Sequence, residues 1–253
     1  MFRGAQYALL LAAVLVFALL ADWGRIQEAF FDPEVIGELF PEILTTALKN
    51  TVIYTVCAFS FGLVLGLVLA LMRLSPVMPY RVIATVYVEF FRGVPALLVL
   101  IAFGYGIPVA LNTEVPGGVL GTITVALGLV AAAYMAETFR AGIQAVPKGQ
   151  MEAARSLGMS HGRAMVSIVI PQAFRIILPP LTNELILLTK DSSLVYLLGV
   201  TLPTRELAKF GRDALNQYVS MTPILIAGLA YLIITVPLGY LVRRLEARQA
   251  KAR

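Results

Sequence analysis

Three sets of side chains could do chemistry in this chain. Glu89 and Arg92 stand three residues apart, as do Glu137 and Arg140. On a helix each pair shares a face and could form an ion pair. The leading expectation for both is a gate-stabilising or anchoring role, because structural ion pairs are common. The third set is Asn183, Glu184, Lys190 and Asp191, which interrupts an otherwise apolar run from Leu181 to Val200. Charged groups in such a run are costly to bury and mark functional positions. A zwitterionic ligand offers a carboxylate and an ammonium, which Lys190 and Asp191 could complement. Alternatively, these two pair with other helices and set their geometry. Enzymatic chemistry has little footing. The single His161 lacks partners for a metal site or a triad, and the single Cys57 cannot form an internal disulfide. There is also no G-x-x-x-x-G-K-[ST] phosphate loop, so the chain cannot hold ATP in that way.

The elements that must position these groups are apolar. Of 253 residues, 59% are hydrophobic and 14% charged, against about 25% charged in soluble domains. Six apolar segments stand out: Tyr7–Ala21, Thr51–Met72, Val94–Leu111 after an amphipathic lead-in from Val82, Val119–Ala136, Leu181–Val200 and Ile224–Val242. A span needs roughly 20 apolar residues, and lipid satisfies the backbone only as helix. The expected fold is therefore all-α, a polytopic membrane bundle of about six helices.

Basic residues set the orientation. Residues 73–93 carry Arg73, Arg81 and Arg92. Residues 137–180 carry Arg140, Lys148, Arg155, Arg163 and Arg175. The tail carries Arg243, Arg244, Arg248, Lys251 and Arg253. These regions are expected to be cytoplasmic. The acidic stretch 22–50 and the stretch 112–118, which lacks Lys and Arg, are expected outside. Both termini, with Arg3, then lie in the cytoplasm. Residues 201–223 would be external despite Arg205, Lys209 and Arg212. The net charge of +5 is thus a topological signal and not a nucleic-acid footprint. The first segment reads as an uncleaved helix, since Ala18 to Ala21 lacks a small-x-small cleavage pattern; the competing reading is a signal peptide. Gly62 and Gly66, with Ala70 one turn on, predict close helix packing, and Gly117 and Gly121 repeat the spacing.

The long basic stretch before the fifth segment has clear punctuation. Pro147 can open a short helix at its first turn. Met151, Ala154 and Leu157 recur as an apolar stripe, Glu152 suits the helix dipole, and Gly158 can close the helix in the left-handed conformation. Ser160 can cap a second helix. Pro171 is expected to end it, and Pro179-Pro180 to enforce a further break. Such a short helix, with Ala153 and Ala154 permitting close approach, suits docking into a partner's cleft. An interfacial helix on the membrane is the alternative.

Here the residues carry a resemblance. Glu152-Ala153-Ala154, then Gly158, then Ile168-Val169-Ile170-Pro171 resembles the E-A-A–G–I-x-L-P loop of ATP-binding-cassette importer permeases, with Ile170 in place of Leu. Glu89-Phe-Phe-Arg-Gly-Val-Pro95, Ala133-Tyr-Met-Ala-Glu137 continuing to Arg140, and Leu178-Pro-Pro-Leu181 with Lys190-Asp-Ser-Ser-Leu194 resemble its polar amino acid branch. The resemblance covers roughly residues 45–243. It implies three regions: an added N-terminal helix with an acidic external segment (1–44), a type I permease domain with a five-helix core (45–243, coupling loop about 147–172), and a basic cytoplasmic tail (244–253).

It also implies that Glu152, Ala153, Ala154, Gly158, Ile168 and Pro171 couple the bundle to a dimer of ATPase subunits. The chain itself would carry no cofactor, and ATP and Mg would be bound by those partners. A second permease, identical or paralogous, an extracytoplasmic substrate-binding protein and membrane lipid complete the expected partners, with no nucleic acid. The expected setting is the bacterial inner membrane. The implied mechanism is alternating access, with ATP binding shifting the conformational equilibrium. Competing functions are a permease for another cargo (an opine, a compatible solute or a sulfur compound) and an ATPase-independent secondary transporter or channel. A membrane enzyme is disfavoured by the lack of a catalytic set.

Overall fold

The acidic stretch after the first helix caps helices. In the computed structural model, which describes residues 2–251, helix α1 (Phe2–Leu20) leads into α2 (Trp23–Phe30) and α3 (Pro33–Leu39). Asp22 accepts from the Arg25 backbone N–H at the start of α2, and Asp32 accepts from Glu34 and Val35 at the start of α3, satisfying orphan donors. Residues Gly4–Leu20 are exposed throughout. An apolar helix with no packed face is at home only among lipid or neighbouring helices. It meets the following pair at 79°, and the bend is held by Trp23 Nε1 donating to the Ala18 carbonyl at 2.8 Å. Arg253 lies outside the described residues, as do the side chains of Arg3 and Lys251.

Four single helices are long and apolar enough to cross a membrane: α4 (Ile43–Leu74), α7 (Gly118–Gln144), α9 (His161–Leu198) and the part Thr222–Gln249 of α11 (Thr222–Lys251). Counting each of two bent pairs as one span brings the total to six, the number expected. The amphipathic lead-in and the third apolar segment form two helices and not one continuous run. Helix α5 (Met78–Gly93) and helix α6 (Ala96–Leu111) meet at 102°. The reason is local: Pro95 disfavours helical backbone at Val94, which is extended (φ −97°, ψ 131°).

The fifth span corrects a second expectation. Pro171 does not end a helix, and Pro179-Pro180 does not break one. Helix α9 runs on from His161 to Leu198, passing through a π turn at Met165–Val169. Pro171 falls in the first turn after that π turn, where a missing N–H is tolerated. Pro179 leaves the Arg175 carbonyl without its helical donor, and Gln249 Nε2 of α11 donates there instead.

Helices α4 and α7 form the most extensive interface of the bundle. Gly62 and Gly66 lie against Ala131, Ala132 and Met135, as their spacing predicted. Gly117 and Gly121 serve a different purpose. Gly117 adopts φ +90° at the head of α7, and a Cβ on Gly121 would meet the Pro116 carbonyl oxygen at 1.8 Å. These two glycines form a local turn and not a helix contact. Helices α9, α5 and α6 pack on the same α7.

Residues 201–223 fold into a helix of their own, α10 (Leu207–Tyr218). Their cations are matched: Arg205 pairs with Glu42 at 2.6 Å, Lys209 with Asp213 at 2.7 Å, and Arg212 stacks over Tyr196 at 5.1 Å. Glu206 caps α10 while fully buried, accepting from Lys209 N–H at 2.7 Å and Tyr231 Oη at 3.0 Å. Burial pushes its carboxyl up to about 7. Val35, Leu39 and Ile43 join Leu207, Phe210 and Ala230 in a small core there.

Candidate functional site

The break between α5 and α6 opens a cleft. A cavity of about 420 Å³ lies among Arg92 and Val94-Pro95 at the break, Tyr134 on α7, and Glu184, Leu188 and Asp191 on α9. A second, of about 400 Å³, shares Arg92, Tyr134 and Glu184 and extends to Glu137 and Pro180. The shared residues make the two one groove. Interrupted helices with cavities beside them are where transporters bind cargo.

Each charged group reaches the groove for a local reason. Glu184, Leu187, Leu188 and Asp191 recur at helical spacing and share one face of α9. Asn183 and Lys190 share a neighbouring face and are exposed; neither lines the groove. Lys190 therefore stays outside the cleft lining, and Arg92 is the cation that lines it. The expected Glu89–Arg92 ion pair is not formed. Glu89 is exposed and does not line the groove, whereas the Arg92 guanidinium turns over the Tyr134 ring, 5.7 Å from its centroid. Cation–π contact holds the group in place and leaves its N–H fork free. Among the described residues, none of Arg92, Glu184 and Asp191 has an ion-pair partner.

The Glu137–Arg140 pair is formed and has a third member. Glu137 lies between Arg140 and Arg73 of α4, and Arg140 also donates to Gln144 Oε1 at 2.6 Å. Arg73 was not singled out from the sequence as a partner. The signal was present: Gly62, Gly66, Ala70 and Arg73 fall on one helical face, the face that packs on α7. This network joins the two most closely packed helices at the end of the groove.

The coupling candidates lie at the same end of the bundle. Helix α8 (Lys148–Ser156) follows Pro147, which is its N-cap and not its first-turn residue. Gly158 adopts φ +83° and donates to the Arg155 carbonyl at 3.0 Å, while Met159 donates to Ala154 at 3.1 Å. Left-handed closure of this kind satisfies the last carbonyls of a helix. Ser160 Oγ accepts from the Arg163 N–H at 3.3 Å and caps the next turn, as expected. The apolar stripe is shorter than expected. Ala154 is buried and Met151 half-buried, but Leu157 is 85% exposed, because the helix ends at Ser156 and Leu157 belongs to the turn. Glu152, Ala153, Leu157 and Gly158 thus share an exposed surface. Ile168 is half-buried in the π turn, and Pro171 starts the straight part of α9, so α8 is joined by a short path to the helix that carries Glu184 and Asp191.

The sequence and the fold have known relatives. The pattern of the family described as "Binding-protein-dependent transport system inner membrane component" matches residues 62–251. A probable glutamine ABC transporter permease, GlnM of Bacillus subtilis, is 38% identical over 203 residues, covering 80% of this chain and 91% of its own length. The glutamate/aspartate import permease GltK of Escherichia coli is 37% identical over 225 residues, covering 87% and 99%. Among solved structures, an amino acid ABC transporter determined with histidines superposes with a TM-score of 0.76 at 33% identity, covering 86% of this chain and 98% of that one.

Proposed function

Because the chain belongs to the family of binding-protein-dependent transport system inner membrane components, we propose that it moves polar amino acids across the bacterial inner membrane through the groove at Arg92. The chain is the membrane permease subunit of an ATP-driven importer, and ATP hydrolysis resides in separate subunits. The amino acid cargo is supported by the names of the relatives and by one feature of the site above all. The groove holds a cation and two carboxylates with no ion-pair partners among the described residues, and unpaired charges in a membrane cleft suit a cargo of the opposite charges. The Arg92 fork would take the cargo carboxylate, and Asp191 and Glu184 its ammonium.

In this reading α8 is the coupling helix. Glu152, Ala153, Ala154 and Gly158 seat in the partner ATPase, and Ile168 and Pro171 pass its displacement into α9. Glu137, held by Arg73 and Arg140, keeps α4 and α7 together while the groove opens alternately to each side. Two permeases, each with an ATPase that binds ATP and Mg, receive cargo from an extracytoplasmic binding protein. Both chain termini lie in the cytoplasm. Residues 1–44 are an addition to the transport core at 45–243, and 244–253 are a basic cytoplasmic tail.

Uptake of labelled amino acids into proteoliposomes tests this. With the permease, its ATPase and its binding protein present, uptake is expected only with enclosed ATP. Uptake that proceeds without ATPase, or that follows an ion gradient, overturns it.

A further inference from the structure

The groove is filled at one end by two irregular stretches of helix. Its second cavity reaches Gly142 and Ala145 in the last turns of α7, just before α8. In the other direction, beyond Leu127 in the wall of the first cavity, Leu100 of α6, Ile123 of α7 and Val195 of α9 are fully buried in one apolar cluster. The last turns of α9, Ser192–Leu198, are 3₁₀, and α6 makes a π turn at Ala102–Gly106. The two meet directly. Tyr105 Oη donates to the Leu197 carbonyl at 2.6 Å. Leu198 fills the space left by Gly104, where a Cβ would overlap its Cδ2 and lie 3.6 Å from its Cγ. Gly199 follows with φ +65°. Beyond it the chain is pinned to α4: Asn50 Nδ2 donates to the Pro203 and Arg205 carbonyls at 2.8 and 3.0 Å, and Tyr54 Oη to the Thr204 carbonyl at 2.6 Å.

We propose that Ser192–Leu198 is the gate at this end of the groove, and that it swings about Gly199, away from the π turn of α6, to admit cargo. A dry apolar seal bars a polar molecule, which would lose its water there without new partners, so the seal must open for passage. The movable part is marked by its geometry. Short 3₁₀ and π stretches hold poorer hydrogen bonds than regular α-helix and recur at hinges and functional sites. The chain on the far side of Gly199 is held by α4, which is itself packed tightly on α7 through Gly62 and Gly66. Motion of α9 relative to that pair is therefore taken up at Gly199. The contact with α6 consists of apolar packing and one hydrogen bond, with no ion pair among the described residues, so it parts at low cost.

This inference rests on the groove being the cargo path, and its test separates the two. Gly104→Cys and Leu198→Cys are combined in a Cys57→Ser background, where the approach of Gly104 to Leu198 Cγ places the two sulfurs within disulfide reach. The complete complex in proteoliposomes is oxidised with copper phenanthroline. The pair is expected to cross-link, uptake to fall to the level seen without ATP, and dithiothreitol to restore it. Cross-linking is expected to slow when a non-hydrolysable ATP analogue holds the ATPase closed. A cross-linked complex with full, ATP-dependent uptake overturns the gate and leaves the cargo path standing. A pair that does not cross-link contradicts the contact and the gate with it. Uptake by the reduced pair without ATP overturns the transport reading and this inference together. A second variant avoids the double substitution. Tyr105→Phe removes the hydrogen bond to Leu197 and is expected to raise labelling of Leu187→Cys, in the groove wall, by an impermeant maleimide added from the side opposite α8. The expected rise is about fivefold, the worth of one hydrogen bond. Unchanged labelling overturns the gate.

Discussion

Gly66→Leu is expected to destroy the bundle. A Cβ at this position would sit 2.9 Å from Met135 Cβ and 3.0 Å from the Ala132 carbonyl oxygen. Both contacts belong to α7, and the second is backbone, so no rotamer change can relieve it. Gly62, one turn earlier, is equally close to Ala131 Cβ at 3.0 Å. The helices must therefore separate along the seam. Separation removes close van der Waals packing, the main attraction between helices in lipid. It also pulls Arg73 away from Glu137. Overpacking of this kind costs about 3 kcal/mol, enough to abolish accumulation of folded protein in the membrane. Fluorescence-detected size-exclusion of the extracted protein reads this directly. A sharp peak at wild-type yield would contradict the α4–α7 packing. Gly228, whose Cβ would meet nothing within 4 Å, serves as control, and Gly228→Leu is expected to be tolerated.

Gly158→Val is expected to leave the bundle intact and to stop transport. A Cβ at Gly158 meets nothing within 4 Å, so packing is undisturbed. Its φ of +83° is the obstacle. A β-branched residue there costs about 1–2 kcal/mol, and the chain avoids this by opening the turn that closes α8. The exposed Leu157 and Ala153 then lose their fixed relation. If α8 is the point of attachment of the ATPase, transport falls by at least roughly tenfold, the equivalent of that strain. The melting temperature of the permease alone is expected to stay within a few degrees of wild type, since a surface turn contributes little to global stability. Normal transport by Gly158→Val would show that the turn has no part in coupling.

Much of this was legible in the sequence because membrane helices announce themselves by length and polarity. The turn at Gly158, the cap at Ser160 and the packing of Gly62 and Gly66 follow from single residues at diagnostic spacings. Glu184 and Asp191 stood out because charge in an apolar run is rare. What sequence reasoning missed depended on partners far away in the chain. Pro179 breaks an isolated helix, but here Gln249, seventy residues on, donates to the Arg175 carbonyl that it orphans. Arg73 belongs to Glu137 only once α4 and α7 are side by side. The third span was legible in part: Pro95 marks an interruption and turns Val94 out of the helix, but the size of the bend, 102°, is not written in one residue. Lys190 was set beside Asp191 because adjacent residues are adjacent in a string. On a helix they lie about 100° apart around the axis, and the cation lining the groove is Arg92 from another helix.

Transport requires that α8 be the handle through which an ATPase moves this bundle. The most direct measurement places a lone cysteine at its tip, Ala153→Cys in a Cys57→Ser background, and labels it with a membrane-impermeant maleimide. Labelling is expected from the cytoplasmic side only, and to be blocked when the ATPase subunit is bound. Labelling from the outside of intact cells, or at an unchanged rate with ATPase bound, would contradict it.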